Sequence, residues 1–238
     1  MLNMINQYAS VCILNKKDVP SHNQNESETI MEGKKKINNN GYDYVDLELP
    51  SGTLWATCNV GASKPSEYGL LFQWGDTQGW ATEQVGTGEG KKKFLYDDYK
   101  WAIKESLLTF SKYTTPSASL ELDDDAANAN MGGDWHMPSP EQIQELIDNT
   151  TNKWTILDRI RGVEFTSKKD SSKSIFIPAA GFAWNGLVVD TGNCGILWAS
   201  ELSINTIYYG KYLYFNSEHT KLSDGFRNDG LSVRGVIG

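Results

Sequence analysis

Between Trp135 and Thr150 the apolar positions recur at helical spacing. Ile143, Leu146 and Ile147 form one stripe, and Glu141, Gln144, Glu145 and Asp148 fall on the other side. Ser139 stands where an N-cap is needed, Pro140 follows at the first helical position, and Gln142 completes the spacing of a capping box. Pro138 and Ile143 occupy the two ends of a hydrophobic staple. The pattern predicts a helix from Pro140 to about Asn149, with an apolar face that requires a sheet to cover it.

The rest of the chain reads as that sheet. The stretch YDYVDLELPSGTLWATCNVGA, starting at Tyr42, alternates apolar and polar positions around a Pro-Ser-Gly turn. Val45, Leu47 and Leu49 are expected on one strand face, and Leu54, Ala56 and Cys58 on another. EYGLLFQWGD is a short apolar run closed by Gly75, and GWATEQVGTGEGKKK is expected to be an exposed loop. DDYKWAIKESLLTFSKY fits neither period and is expected to be irregular. In LELDDDAANANMGG, Asp123 is expected to cap a short helix that Asp124 and Asp125 favour at its start and Gly132 or Gly133 ends. GVEFTSK, SIFIPAAGF, GILWASE, YLYFNS and LSVRGV follow as short strands between turn residues, read as an antiparallel meander. The order of elements predicts an α+β fold. Residues 1–40 are polar and lack apolar periodicity, which predicts a flexible tail ahead of a domain over residues 41–238.

Composition narrows the function classes. Eight tryptophans, 11 tyrosines and eight phenylalanines can fill a large core. A formal charge of −8 argues against nucleic acid or an anionic membrane as partner. Cys12, Cys58 and Cys194 are too few and too far apart for a disulfide framework or a zinc knuckle. No apolar run reaches the roughly 20 residues of a membrane span. MLNMINQYASVCILNKK has no basic region ahead of an apolar one, so no signal peptide is readable.

Catalytic motifs are missing. His22, His136 and His219 form no metal-binding motif, and neither a nucleophile elbow, a phosphate loop nor a dinucleotide fingerprint occurs. The expectation is a protein that is not an enzyme and uses neither metal nor cofactor. Core packing accounts for Trp198 and for alternate residues of YLYF. Tyr208 and Tyr209 fall in the turn-like SINTIYYG, where exposed aromatics beside polar residues suit a recognition surface.

Taken in order, YVDLELPSGTLWATCNVGA, EYGLLFQWGD, DDAANANMGGDWHMPSPEQIQELI, IFIPAAG, LWASE, YLYFNS and LSVRGV closely resemble the major paralogous domain family first named from Fibrobacter succinogenes and abundant in Bacteroides-type bacteria. The resemblance runs from about Tyr42 to Ile237. It implies a branch of the C-type lectin-like fold, akin to the formylglycine-generating enzyme domain. Two helices would flank small twisted antiparallel sheets, with the first and last strands paired. It also implies export to the cell surface, although no lipobox is readable. The tripeptides of calcium-dependent lectins, the cysteine pair of formylglycine-generating enzymes and the histidine triad of sulfoxide synthases are not matched.

Resemblance and missing chemistry together point to a non-catalytic, adhesin-like module. It would display the loops around residues 184–193, 203–209 and 218–228 to a glycan or a protein. Trp184, Asn185, Tyr208, Tyr209, His219 and Arg227 are the expected contact residues. Tyr208, Tyr209, His219 and Arg227 are expected on one loop face, because the alternating strand residues already account for the core. The alternatives are a structural subunit of a cell-surface or fimbrial assembly, and the variable product of a diversity-generating retroelement. Under the last of these, variation would fall within residues 201–228.

Overall fold

The structure is a computed structural model, and it describes residues 37–106 and 108–238. Four short strands make the first sheet: β1 (Ile37–Asn39), β2 (Tyr42–Asp46), β3 (Leu54–Ala56) and β14 (Val236–Ile237), in the order β1-β2-β3-β14. The chain therefore returns at its end to the sheet in which the described part begins. The direct partner of β14 is β3, with Val236 opposite Trp55, and not the first strand. The turn between β1 and β2 places Asn40 (φ 50°) and Gly41 (φ 86°) in the left-handed region that a tight hairpin turn needs. Residues 37–40, expected in the tail, belong to this hairpin. The expectation for residues 1–36 lies outside the described residues.

The second sheet has five strands in the order β12-β11-β10-β13-β4: β4 (Leu71–Phe72), β10 (Cys194–Leu202), β11 (Tyr209–Asn216), β12 (Thr220–Phe226) and β13 (Leu231–Ser232). β10 and β11 pair antiparallel as expected, and β12, a strand that was not expected, continues the meander. β13 departs from it, lying parallel to β10 with Leu197 opposite Ser232. β11 lies between β12 and β10, and Tyr212, Leu213, Tyr214 and Phe215 are all buried, so side chains on both of its faces are covered where alternation was expected. Leu213 and Phe215 enter the main core, and Tyr212 packs edge-on against Trp198 at 6.0 Å. A third sheet holds β5 (Thr150–Leu157), β6 (Ile160–Ser167) and β7 (Ser174–Pro178). A hairpin of β8 (Phe182–Trp184) and β9 (Leu187–Val189) stands apart from it.

Two α-helices pack against these sheets. The second, α2 (Pro140–Asn149), has the predicted bounds. Its N-cap Ser139 accepts from the Gln142 N–H at 3.2 Å, and Gln142 Oε1 accepts in return from the Ser139 N–H at 2.9 Å. Ile143 and Leu146 are buried among Leu47, Trp55, Phe165 and Phe215. The first, α1 (Ala126–Met131), is capped by Asp125 and not by Asp123: Asp125 Oδ1 accepts from the Asn128 N–H at 2.9 Å. Asp123 and Asp124 lie one turn earlier in a 3-10 segment, and Gly132 (φ 69°) ends the helix as expected. On β3 Trp55 and Ala56 are buried, whereas Leu54 is half-buried. The larger ring takes the face that looks onto α2.

Candidate ligand-binding surface

The sequence W-N-G-L at residues 184–187 builds the tip of a surface hairpin. Phe182, Ala183 and Trp184 face Val189, Val188 and Leu187 in register, and Asn185 (φ 51°) and Gly186 (φ 73°) turn the chain between them. Two successive residues at positive φ are what a two-residue hairpin turn demands, and Asn-Gly meets the demand at least cost. Ala183 is buried with Leu71 and Phe94 in a small satellite core. Trp184 and Leu187, directly opposite one another, project together and remain 36% and 55% exposed. Trp184 and Asn185 thus stand where the sequence placed them, at the surface, but on a hairpin rather than in a loop. The Asn-Gly pair was the signal for it.

The hairpin tip is fixed from below by residues 86–93. The Gly186 N–H donates to the Lys93 carbonyl at 2.6 Å. A Cβ on Gly186 would lie 2.7 Å from Thr87 Cγ2 and 3.1 Å from the Gly86 backbone, so only glycine allows this approach. The supporting loop was expected to be exposed, and it is anchored at Lys92. Lys92 Nζ donates to Gln73 Oε1 at 2.8 Å and to the Asp98 carbonyl at 2.9 Å, lies 3.7 Å from Asp98 Oδ1, and sits over the Trp80 and Phe94 rings. Burial of Lys92 turns its neighbours Lys91 and Lys93 outward, and both are exposed. Lys91 Nζ also donates to the Glu83 carbonyl at 2.6 Å.

Arg227 is not a surface residue. Its side chain is fully buried, against the expectation of an exposed contact. Nε donates to the Tyr99 hydroxyl at 2.7 Å, Nη1 to the Tyr113 and Ile207 carbonyls at 3.1 and 3.2 Å, and Nη2 to the Lys112 carbonyl at 3.2 Å. The guanidinium also stacks 4.2 Å from the Phe110 ring centre and 5.1 Å from those of Trp74 and Tyr99. Burial lowers the Arg227 pKa against the opposing pull of the Tyr99 hydroxyl, and burial likewise pushes the Tyr99 phenol up. Arg227 is a strut that ties residues 99–113 to the second sheet. An arginine can do this because its fork of donors reaches several acceptors at once, here four hydrogen bonds to carbonyl and phenol oxygens from other parts of the chain.

The remaining expected contacts do not share one face. Tyr208 is half-buried against Phe110, and Tyr209 meets Phe226 edge-on at 4.9 Å, with burial raising its phenol. His219 is exposed, in the turn that joins β11 to β12, where the Asn216 side chain accepts from its N–H at 2.7 Å. Tyr209 and Asn216 are the two ends of β11, so His219 and the tyrosine pair stand about 23 Å apart along that strand. Ile204, at 68% exposure, is the apolar residue displayed beside the tyrosines.

Elsewhere Asp124, Asp125 and Arg234 are buried charged groups held by hydrogen bonds. Asp124 accepts from Lys100 Nζ at 2.8 Å, Lys112 Nζ at 2.6 Å and the Tyr113 hydroxyl at 2.7 Å. Burial alone would raise its carboxyl, and these three donors outweigh burial and hold it below its ordinary value. Asp125 is raised by burial despite its cap bonds. Arg234, the second buried guanidinium, binds Asn59 Oδ1 and the carbonyls of Ala56, Thr57 and Phe176. Two shallow grooves are present, of about 430 Å³ beside Glu67, Tyr68 and Asp158 and about 320 Å³ beside Tyr42, Cys58 and Met131. Among the described residues no group of three or more histidine, cysteine or carboxylate side chains is arranged to hold a metal ion, and no helix is long and apolar enough to cross a membrane. Comparison with protein-family models, with curated proteins and with solved structures finds no match to this chain.

Proposed function

We propose that the protein is a non-catalytic recognition module of C-type lectin-like architecture, related to the major paralogous domain family, and that it binds its ligand through the tip of the β8–β9 hairpin. The observation that carries the reading is the pairing of Trp184 with Leu187 at the surface of a clamped turn. The pair keeps 36% and 55% of its surface open on a turn that is held from below. Its rigidity means that little conformational entropy is lost when a ligand covers it. The return of β14 to the first sheet and the two helices against small antiparallel sheets support the lectin-like reading of the fold.

The assembly-subunit alternative would draw on β5, which lies at the edge of the third sheet. Lys153, exposed in the middle of that edge strand, works against strand addition, since a charge there would be desolvated by an incoming chain.

The test is a glycan array and an affinity capture with the full chain and its Trp184→Ala variant. Ligands retained by the parent and lost by the variant, at an unchanged melting temperature, support the hairpin. Ligands that both proteins retain equally place recognition elsewhere.

A further inference from the structure

The size and charge of the hairpin tip narrow its ligand. Trp184 and Leu187 together offer on the order of 200 Å² of apolar surface, against the roughly 800 Å² per partner that a stable protein interface covers. A patch of that size matches the C–H face of one or two sugar rings. Beside it stand Lys91 and Lys93, exposed, on the loop whose Lys93 carbonyl accepts the Gly186 N–H. Of the acidic groups on this loop, Asp98 pairs with Lys92 and accepts from the Lys93 N–H, while Glu83 and Glu89 are exposed. Lys93 is exposed, and among the described residues its ammonium has no hydrogen bond or ion pair.

We infer that the hairpin tip takes a sugar chain bearing acidic groups, sulfate or carboxylate, with a sugar ring laid on Trp184 and the acidic group against Lys93 and Lys91. The inference rests on the hairpin being the binding site and names the class of ligand it selects. Stacking supplies the contact and the two ammonium groups supply the choice of charged over neutral sugar. Because the whole chain carries a net charge of −8, a polyanion is repelled by most of the surface. Binding must therefore be local to these two lysines.

The test uses the full chain with dextran sulfate, polygalacturonate and neutral dextran, followed by calorimetry. One or both acidic polymers are expected to bind and neutral dextran is not. Which acidic polymer binds distinguishes sulfate from carboxylate. Trp184→Ala is expected to weaken binding about tenfold or more, Lys93→Gln about threefold, and salt near 1 M, with a screening length of about 3 Å, to weaken it further. Lys153→Gln, on β5, is expected to change nothing. Equal binding of neutral and acidic polymers, insensitive to Lys93→Gln, would overturn the inference and leave the hairpin site standing. The same holds if none of the three polymers binds while a protein is captured in a Trp184-dependent way. Polyanion binding that follows Lys153→Gln and ignores Trp184→Ala would overturn both.

Discussion

At the residue scale the largest departure from expectation is Arg227. The sequence offers an arginine between Phe226 and Asn228 after a strand, and nothing local announces its burial. What buries it is a set of carbonyls at Lys112, Tyr113 and Ile207 together with the rings of Trp74, Tyr99 and Phe110, most of them more than 100 residues away in sequence. Arg227→Ala leaves those acceptors unmet inside the protein and opens a cavity, so a loss of about 3 kcal/mol or more is expected in chemical denaturation. An unchanged denaturation midpoint would mean that the guanidinium is not the strut. Asp124 provides a second residue-scale prediction. Its carboxyl is held below the ordinary value of 3.8, so the ionised form is favoured by folding. The stabilisation is complete above that value and is lost as pH falls through the lower, folded-state value. Asp124→Asn should thus cost about 2 kcal/mol near neutral pH. The melting temperatures of variant and parent should converge as the pH is lowered below about 4; a gap independent of pH would show that charge is not the cause.

At the scale of elements, legibility follows locality. The helix α2 was readable because its signals are contained within it. Ser139, Pro140, Gln142 and the stripe at Ile143, Leu146 and Ile147 need no partner to be recognised, and Ser139→Ala is expected to cost about 1 kcal/mol. Gln142 reaches further, since its Nε2 also donates to Thr53 Oγ1 and the Gly238 carbonyl. Gln142→Ala should therefore lower the melting temperature more than Ser139→Ala, and a smaller drop would count against this link. Among the strands that were missed, β5 and β12 share a reason. β5 begins at Thr150 with no break after α2 and opens on the polar Thr151, Asn152 and Lys153, while in β12 only Leu222 and Phe226 are large and apolar. Both belong to their sheets through a neighbouring strand, β6 and β11, and pairing of that kind leaves little periodicity in the strand itself. The candidate site was legible in part. Trp184 and Asn185 carry an Asn-Gly turn that any reader can find, but the clamp at Lys93 and the separation of His219 from Tyr208 and Tyr209 come from tertiary packing.

At the scale of the whole molecule, the first sheet decides where the domain begins. Its four strands come from both ends of the described chain, and two hydrogen bonds of its first hairpin reach partners 91 and 96 residues away. The Trp135 Nε1–H donates to the Asn39 carbonyl at 3.1 Å, and the Asn40 side-chain amide donates to the Met131 carbonyl. Trp135 itself is fully buried, with Tyr42 and Tyr44 edge-on at 6.4 Å, so the β1–β2 hairpin closes the end of α1 and the strand that leads into α2. A chain that starts at Gly41 lacks β1, leaves the indole N–H without its acceptor and opens one side of Trp135. Relative to a chain that starts at Ile37, it should lose about 2 kcal/mol or more, from one buried hydrogen bond unmade and one hairpin strand removed. Trp135→Ala should cost still more, roughly 3–5 kcal/mol, because the cavity it leaves lies at the meeting of α1, β2 and the final strand. Melting curves of the two shortened chains and of Trp135→Ala in the longer one provide the comparison. If the chain from Gly41 melts with the chain from Ile37, then β1 is an ornament of the sheet and the domain begins at β2. If it melts lower, and Trp135→Ala adds less to that shorter chain than to the longer one, the hairpin and the tryptophan stabilise the molecule through the same contact.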